Sequence, residues 1–388
     1  MKRFDVVILG GGASGLMCAA WLSEYSDLDV VLIEGNETVG KKLQISGGGK
    51  CNITNVDVQS KHYLGDAAFI DAVLENFGQK ELLEYLQRRA LKPVLRKERY
   101  YFCPESSQQI ITLLLKAASR VIKKTGEHIL HVIKDDAGYE VTTTRMQYKC
   151  RHLVVATGGE SYKSIGASAI GLDIARNFGH EIAPFTPALA GLTLQKAQFW
   201  MKELSGISMP VRIYAEDRVI EEELLFAHKG ISGPAVLSAS LYWHKGTITI
   251  DFLPNSSIKA LCHHSNKLIS TALPLSKRFI KAYLHSEGIN DKPCTQLKPN
   301  EIAVLKKLHH YILAPAGNFG FSKAEVCRGG VKTSQINPAG MESLLHTGLH
   351  FIGEVVDVTG ELGGYNFQWA FTSGVKCAKS LVKLYNYG

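Results

Sequence analysis

A glycine-rich segment near the N-terminus, Gly10–Gly15 (GGGASG), constrains the fold of this 388-residue chain more than any other feature. It matches the pattern G-x-G-x-x-G. An apolar run over 4–9 predicts a strand before it, and a helical pattern follows from Leu16. A second apolar run over 29–33 ends at Glu34. These are the parts of a dinucleotide-binding βαβ unit in their usual order, so we predict such a unit here.

Each part of this unit has a separate expected role. Gly10 permits the tight turn, Gly12 lets the backbone approach a pyrophosphate, and Gly15 allows close packing of helix and strand. The N-terminus of the helix offers N–H groups and the positive end of its dipole to the phosphates. We expect Glu34 to accept hydrogen bonds from a ribose.

A second glycine-rich segment, 40–55 (GKKLQISGGGKCNITN), follows the second predicted strand. Three consecutive glycines disfavour a helix or strand interior and suit a backbone that lies against a flat group. Ser46, Lys50 and Thr54 are among the hydrogen-bond donors around them. Apolar residues on both sides predict a loop that is pinned to a core, although an ordinary surface loop is the alternative.

Later segments extend the pattern. Residues 152–159 predict a strand that ends in a glycine turn, after short strands at 128–133 and 139–144. Residues 349–352 predict a strand that leads into the acidic segment GEVVD and a final helix. Flavoproteins of the glutathione-reductase type use such elements in this order, with the late acidic segment on the ribityl chain and the last helix directed at the flavin ring. We therefore predict noncovalently bound FAD.

Four longer strings resemble one bacterial family, the BaiN-type NAD(P)/FAD-dependent oxidoreductases, some of which carry an aminoacetone oxidase label. The strings are ISGGGKCNITN (45–55), EELLFAHKGISGPA (222–235), AEVCRGGV (324–331) and GEVVDVTGELGGYNFQWAFTSG (353–374). The resemblance covers about residues 4–385. It implies an α/β fold: a glutathione-reductase-type, Rossmann-like FAD-binding domain with an inserted small β-barrel and a helical subdomain.

The expected boundaries follow from changes of pattern along the chain. They are 1–186 and 336–388 for the FAD-binding domain, 187–253 and 314–335 for the barrel, and 254–313 for the helical insert. Three prolines that punctuate the insert separate predicted helices at 258–273, 275–287 and 300–313, which we expect to close on themselves. The clearest helix outside the insert is predicted over 106–124.

The candidate cofactor contacts combine these patterns with the resemblance. They are Gly10, Gly12, Ala13, Ser14, Gly15, Glu34, Lys42, Ser46, Gly47, Gly48, Leu130, Thr157, Gly158, Gly353, Glu354, Asp357, Gly364, Tyr365 and Asn366. Glu354 or Asp357 is expected to hold ribityl hydroxyls. The family pattern also implies a proline and an aspartate within 163–171, and this chain has neither. That departure puts a nicotinamide or substrate contact there in doubt.

Composition sets the remaining limits. No apolar run reaches 18 residues, which argues against a transmembrane helix and a membrane partner. Eight scattered cysteines without a C-x-x-C pair predict reduced thiols in the cytoplasm and no metal site. Nothing in the pattern fixes the oligomeric state.

These observations predict an FAD-dependent oxidoreductase. It takes hydride at flavin N5 from NAD(P)H and passes it to a small organic acceptor that the sequence does not identify. Catalytic residues are not evident, and His228 and Cys51 are the candidates, each with a structural role as the alternative.

Uneven charge supports an alternative function. Residues 251–320 hold nine lysines and arginines against four acidic residues, which accounts for five of the eight net positive charges of the chain. The alternative is a flavoprotein associated with nucleic acid, similar to those that modify tRNA.

Overall fold

The computed structural model describes residues 2–75, 77–262 and 265–387. The chain divides into two compact units. Unit 1 comprises residues 1–186 and 326–388, and unit 2 comprises residues 187–325.

The N-terminal part of unit 1 alternates strands and helices, and its last strand runs into unit 2. Its strands are β1 (Lys2–Leu9), β2 (Val30–Ile33), β3 (Asn52–Asn55), β4 (Tyr63–Leu64), β5 (Val94–Arg96), β6 (Tyr100–Phe102), β7 (Ile122–Lys124), β8 (Ile129–Asp135), β9 (Gly138–Thr143), β10 (Gln147–Val155) and β11 (Ile182–Ala188). Its helices are α1 (Ala13–Tyr25), α2 (Lys41–Gly49), α3 (Ala67–Leu74), α4 (Gln79–Gln87), α5 (Gln108–Ala117) and α6 (Ile170–Asn177).

Unit 2 contains β12 (Leu192–Thr193), β13 (Ser208–Ala215), β14 (Arg218–Ala227), β15 (Gly230–Ser232), β16 (Ile248–Asp251), β17 (Tyr311–Leu313) and β18 (Gly317–Asn318). Its helices are α7 (Pro234–Tyr242), α8 (Ile258–Cys262), α9 (Ile269–Ala272), α10 (Lys277–Ser286) and α11 (Pro299–Lys306). The chain then returns to unit 1 with β19 (Val326–Val331), β20 (Ile336–Asn337), β21 (Glu342–Ser343), β22 (Leu349–Phe351), β23 (Thr359–Gly360) and α12 (Tyr365–Tyr387).

Five parallel strands form the centre of unit 1, in the order β7-β2-β1-β10-β22. Val7 of β1 pairs with Val31 of β2 on one side and with Leu153 of β10 on the other. Strand β2 and the last four residues of β1 and β10 are buried, as expected for the centre of a parallel sheet covered on both faces. The predicted Rossmann-like α/β fold is therefore confirmed, and the strands predicted at 128–133 and 139–144 correspond to β8 and β9, which pair antiparallel beside β10.

The helix predicted over 106–124 is shorter than expected. It begins at Gln108 and ends at Ala117, and Ile122 instead starts β7, where it pairs with Val31. The apolar residues near 121 fit a helical period, but the free edge of β2 offers them backbone hydrogen bonds. Tertiary pairing thus overrides local periodicity here.

The strands of unit 2 form a seven-stranded antiparallel sheet in the order β17-β16-β13-β14-β15-β12-β18. The predicted helix 258–273 is divided into α8 and α9, and the predicted helix 300–313 ends at Lys306. Residues 311–313 instead form β17, which pairs with β16. The segment 254–313 therefore contributes a strand to the sheet of unit 2.

The helical segment of unit 2 also shares its core with this sheet. The ring of Phe279 on α10 lies 4.9 Å from that of Phe252, which follows β16, and both are buried. One hydrophobic cluster joins residues from β13, β14 and β16 with residues from α9 and α10. The expectation that these helices close on themselves was wrong, because their apolar faces cover the sheet. Unit 2 ends at Glu325, ten residues before the predicted barrel boundary at 335.

Within the described residues, no helix is both long enough and apolar enough to cross a membrane.

Candidate cofactor site

The three glycines of the first turn lie in very different surroundings. A Cβ atom at Gly10, which has a φ of +110°, would lie 2.4 Å from the carbonyl oxygen of Ala156. A Cβ at Gly15 would lie 2.0 Å from the carbonyl oxygen of Gly10. A Cβ at Gly12 would meet nothing within 4 Å. Gly10 and Gly15 are thus required by the fold, whereas Gly12 borders open space, as its predicted contact with a pyrophosphate requires.

Helix α1 begins at this open space. Gly12 is its N-cap, and neither a side-chain cap nor an acidic residue lies in its first turn. Ala13 and Ser14 are the first helical residues, so their N–H groups stand at the positive end of the helix dipole. Such an end favours an anion, and phosphate is a common one.

Glu34 follows β2 and is fixed by three donors. Its Oε2 accepts a hydrogen bond of 2.8 Å from the Gly11 N–H, and its Oε1 accepts 2.8 Å bonds from the N–H and side-chain amide of Asn36. A Cβ at Gly35 would lie 3.0 Å from the His128 ring. Leu130, two residues further, is 49% exposed at an irregularity of β8. The structure thus brings the predicted ribose-binding residue and the segment before Leu130 together.

Lys42 and Glu354 lie more than 300 residues apart in sequence and form an ion pair. Lys42 Nζ is 2.8 Å from Glu354 Oε2, and Glu354 Oε1 accepts a 2.8 Å hydrogen bond from the Cys327 N–H. A Cβ at Gly158 would have Glu354 Oε2, at 3.8 Å, as its only neighbour within 4 Å. Three predicted cofactor residues, Lys42, Gly158 and Glu354, therefore converge.

Cys327, whose N–H donates to Glu354, is itself held by hydrogen bonds. Its Sγ accepts a hydrogen bond of 3.0 Å from the Glu160 N–H and lies 3.3 Å from the Ser161 hydroxyl. Burial, followed by the nearby Glu354 carboxylate, raises the pKa of the Cys327 thiol to about 11. The thiol is therefore neutral near pH 7 and acts as a packing and hydrogen-bonding group. By contrast, the Thr157 hydroxyl is buried against Gly171 of α6 and has no hydrogen-bond partner within the described part of the chain.

The second glycine-rich segment forms a kinked turn. Helix α2 departs from helical geometry at Ser46, Gly47 and Gly48. The Ser46 hydroxyl donates a 2.8 Å hydrogen bond to the Leu43 carbonyl, which fixes the turn to the preceding helix. A Cβ at Gly48 or Gly49 would meet nothing within 4 Å. This stretch of backbone is therefore open on one side, as a flat ligand requires.

Cys51, a candidate catalytic residue, is buried beside a second cysteine. It has a left-handed φ of +45°, and its carbonyl oxygen accepts a 3.3 Å hydrogen bond from the Cys103 N–H. A hydrogen bond with the Cys103 thiol and burial raise the pKa of the Cys51 thiol well above its usual range. The burial and the raised pKa of Cys51 favour the structural role over the catalytic one.

A buried chain of polar groups joins β3 to helix α12. The Thr54 hydroxyl donates a 2.6 Å hydrogen bond to Gln368 Oε1, and Gln368 donates in turn to Thr372. The Asn55 side chain donates a 3.0 Å bond to the Gly363 carbonyl. A Cβ at Gly364 would lie 2.7 Å from the Thr54 backbone. The glycine-rich loop and the start of α12 are thus held together by contacts that leave little room for change.

The first residues of α12 are fixed from several sides. Asn366 holds the preceding turn, since its side chain both accepts a bond from the Gly360 N–H and donates one to the Gly360 carbonyl, each of 2.8 Å. The ring of Tyr365 stacks on His62 at 4.7 Å. A Cβ at Gly353 would lie 2.5 Å from the Ser14 hydroxyl, so the late strand end meets the start of α1.

The last two candidate residues are Asp357 and His228. Asp357 pairs with Lys332 at 2.7 Å. His228, the other catalytic candidate, lies in unit 2 on an exposed turn between β14 and β15. Among the described residues, no group of three His, Cys, Asp or Glu side chains is placed to hold a metal ion.

The sequence patterns do not predict the side-chain contacts of Cys103, Cys327, Lys332 and Gln368. The string that contains Cys327 had marked the region, but nothing in it distinguishes a cysteine that supports Glu354 from a core cysteine. Gln368 and Thr54 are separated by more than 300 residues, so only the fold reveals their bond.

The fold resembles those of solved structures with very different sequences. E. coli quinol fumarate reductase (the FrdA chain, in mutated form) aligns with a TM-score of 0.53 at 13% identity, over 100% of this chain and 71% of that one. A flavocytochrome c3 fumarate reductase in an open conformation aligns with a TM-score of 0.50 at 14% identity, over 98% and 78%. These similarities concern the fold alone.

Three curated relatives match almost end to end. A ribosomal RNA dihydrouridine synthase of Escherichia coli K12 is 36% identical over 98% of this chain and 99% of its own length. The protein of the same name from Haemophilus influenzae is 33% identical over 97% and 98%. A 3-dehydro-bile acid delta(4,6)-reductase of Clostridium scindens is 30% identical over 95% and 96%.

The family model described as "HI0933-like protein Rossmann domain" matches residues 4–380. The chain therefore belongs to the HI0933-like Rossmann flavoprotein family.

Proposed function

We propose that the chain is an FAD-dependent reductase that saturates a carbon–carbon double bond conjugated to a carbonyl group, and that its substrate is a uracil base of ribosomal RNA. The proposed substrate rests on one observation, the end-to-end match, at 36% and 33% identity, to two ribosomal RNA dihydrouridine synthases. In uracil, the bond that becomes saturated in dihydrouracil is conjugated to a carbonyl. The alternative substrate is a small organic acceptor.

The residues present fit FAD. The open side of Gly12 and the uncapped start of α1 suit a pyrophosphate, and the fixed carboxylate of Glu34 suits a ribose. Lys42 and Glu354 suit the ribityl chain, and the open backbone at Gly48 suits the flavin ring. FAD is thus expected to extend from the first glycine turn to the start of α12.

When bound, FAD supplies reversible hydride exchange at N5. The first turn of α12 would stabilise negative charge on the reduced ring with its backbone N–H groups. That effect is worth about 0.3–2 kcal/mol according to burial. The Thr54–Gln368 bond and the Asn366 side chain hold this helix start in place, so their role is to orient the donors.

We propose NAD(P)H as the source of the hydride. The sequence contains no second G-x-G-x-x-G after residue 160, so the reductant would have no separate Rossmann domain. It would exchange with the substrate at the same flavin. This arrangement predicts that NAD(P)+ competes with RNA for the reduced protein.

To test this, purified protein is incubated with NADPH or NADH and an unmodified ribosomal RNA transcript. The RNA is then digested, and the masses of its nucleosides are measured by mass spectrometry. We expect a uridine that has gained two hydrogen atoms, and no gain with Gly12→Val, which lacks room for the pyrophosphate. Absence of the gain with protein that carries FAD and is reduced by NAD(P)H would contradict the RNA substrate.

A small-molecule acceptor is the second candidate, and the 30% identity to the bile acid reductase favours it. That name also describes reduction of double bonds conjugated to a carbonyl. A conjugated steroid dienone added to the same assay distinguishes the two. Turnover of the dienone without turnover of RNA would favour this second function.

A further inference from the structure

One segment of unit 1 combines exposed basic residues with half-buried aromatic residues beside the candidate cofactor site. The 92–102 hairpin (KPVLRKERYYF) comprises β5, β6 and the turn between them. It holds four basic residues against a single acidic one, Glu98, and three consecutive aromatic residues. Interleaved basic and aromatic residues are typical of surfaces that bind single-stranded nucleic acid.

The hairpin presents its charges at an exposed tip. Residues 94–99 are all exposed, with Val94 and Leu95 at 43% and 44%. Lys97 and Glu98 form the turn and both have a left-handed φ, of +49° and +52°. This tight turn places Arg96 and Arg99 at the two ends of the facing strands, so that positive charge surrounds the tip.

One face of the hairpin is directed at the glycine segments of the candidate site. Strand pairing sets Val94 opposite Phe102 and Arg96 opposite Tyr100, and paired residues share a face. A Cβ at Gly363 would lie 2.7 Å from the Tyr100 ring, and a Cβ at Gly47 would lie 3.0 Å from the Phe102 ring. The two rings therefore rest on the segments before α12 and within α2.

Two arginine side chains of the hairpin lie over its aromatic rings. The Arg96 guanidinium lies 5.1 Å from the centre of the Phe102 ring, and that of Arg99 lies 5.4 Å from the centre of the Tyr100 ring. The Arg96 guanidinium, oriented by the ring on the face that is directed at the glycine segments, suits a phosphate or a stacked base.

The basic segment of unit 2, residues 251–320, carries few aromatic residues between its lysines and arginines. Its composition therefore fits the pattern of a surface for single-stranded nucleic acid less closely than that of the hairpin.

We propose that the 92–102 hairpin binds the single-stranded RNA that carries the target uracil. It contacts phosphates through Arg96 and Lys97 and positions the neighbouring nucleotides beside the flavin. This proposal rests on the proposed function for the identity of the RNA. The binding surface itself is supported by its charge, its exposure and its position against Gly47 and Gly363.

The test compares two double variants of the full chain that remove equal charge. Arg96→Ala with Lys97→Ala changes the hairpin, and Lys277→Ala with Lys281→Ala changes exposed lysines of unit 2. Fluorescence anisotropy with a labelled oligouridylate gives the affinity over a series of salt concentrations. Both variants should keep the flavin absorption of the unaltered protein, which shows that unit 1 is folded.

We expect the hairpin variant to bind on the order of tenfold more weakly. Its plot of log affinity against log salt should flatten by about 0.7 for each lost phosphate contact, or about 1.4 in total. The unit 2 variant should match the unaltered protein. Equal affinity and salt dependence in the hairpin variant, or a loss confined to the unit 2 variant, would overturn the proposal.

The product assay on ribosomal RNA separates this proposal from the proposed function. Weaker binding by the hairpin variant, with no uridine reduced even by the unaltered protein, would support the hairpin and contradict the function. Reduction of uridine at the same rate by both would support the function and overturn the hairpin.

Discussion

The two ends of the candidate cofactor site are built in different ways. The dinucleotide end, Gly10–Gly15 with Glu34, comes from one βαβ unit, and its decisive groups, which are backbone atoms and the Glu34 carboxylate, lie within 25 residues of sequence. The flavin end, 46–55 with 353–366, joins segments about 300 residues apart through side chains such as Thr54. The dinucleotide end depends on glycines that lack a Cβ atom, whereas the flavin end depends on hydrogen-bonded pairs of residues that are distant in sequence.

This difference determines how each end responds to mutation. At the dinucleotide end a single added carbon either breaks the turn or occupies the ligand's space, depending on which glycine carries it. At the flavin end the loss of one partner leaves the other buried and without its hydrogen bond, which costs about 1–3 kcal/mol.

The largest effects are expected from valine at two glycines of the same turn. Gly15→Val places a Cβ 2.0 Å from the Gly10 carbonyl oxygen and should lower the free energy of unfolding by at least about 3 kcal/mol. Gly12→Val meets open space, so the apoprotein should unfold within about 0.5 kcal/mol of the unaltered apoprotein while FAD is lost. Denaturant unfolding and flavin content measure both. A folded Gly12→Val protein that retains FAD would refute the placement of the pyrophosphate.

At the flavin end, Thr54→Val should lower the free energy of unfolding by about 1–3 kcal/mol, because Gln368 Oε1 is left buried without a donor. Adding Gln368→Leu removes the unpaired group and should recover part of the loss. Urea unfolding of the single and double variants measures this coupling. Strictly additive losses would show that the bond does not join the two segments.

A smaller effect is expected for Glu34→Gln at the dinucleotide end. The carboxylate accepts bonds from Gly11 and Asn36 on different oxygens, and an amide offers a single acceptor oxygen. FAD affinity should fall about fivefold, for a loss of roughly 1 kcal/mol. Titration of the apoprotein with FAD gives the value, with the exposed Glu75→Gln as control. A hundredfold loss would mean that Glu34 is needed for the fold of the turn itself.

The smallest effect is expected for the ion pair between Lys42 and Glu354, since Lys42 is 31% exposed and solvent screens the pair. Lys42→Met, Glu354→Gln and the double variant form a cycle in FAD affinity. We expect a coupling energy of about 0.5–1 kcal/mol. A coupling near zero would indicate that the two residues act on the cofactor separately.

The same contrast explains what could be predicted from the sequence. The strand, turn, helix and acidic end of the dinucleotide unit follow from local patterns, and the structure shows the close packing at Gly10 and Gly15 and joins Glu34 to the turn through the Gly11 N–H. Cys327 beneath Glu354 and Gln368 against Thr54 depend on pairing across the whole chain. The strand at 311–313 was missed for the same reason, because only its partner β16 distinguishes it from the end of a helix.

In the function that we propose, reduced flavin in this protein gives its hydride to a uracil base of RNA. Anaerobic stopped-flow tests it most directly. Protein reduced by one equivalent of NADPH is mixed with an unmodified ribosomal RNA transcript, and the flavin absorption is followed. We predict that the oxidised flavin spectrum returns and that the amount of dihydrouridine formed equals the flavin reoxidised. A spectrum that stays reduced with RNA, yet is reoxidised by a conjugated dienone, would contradict the claim.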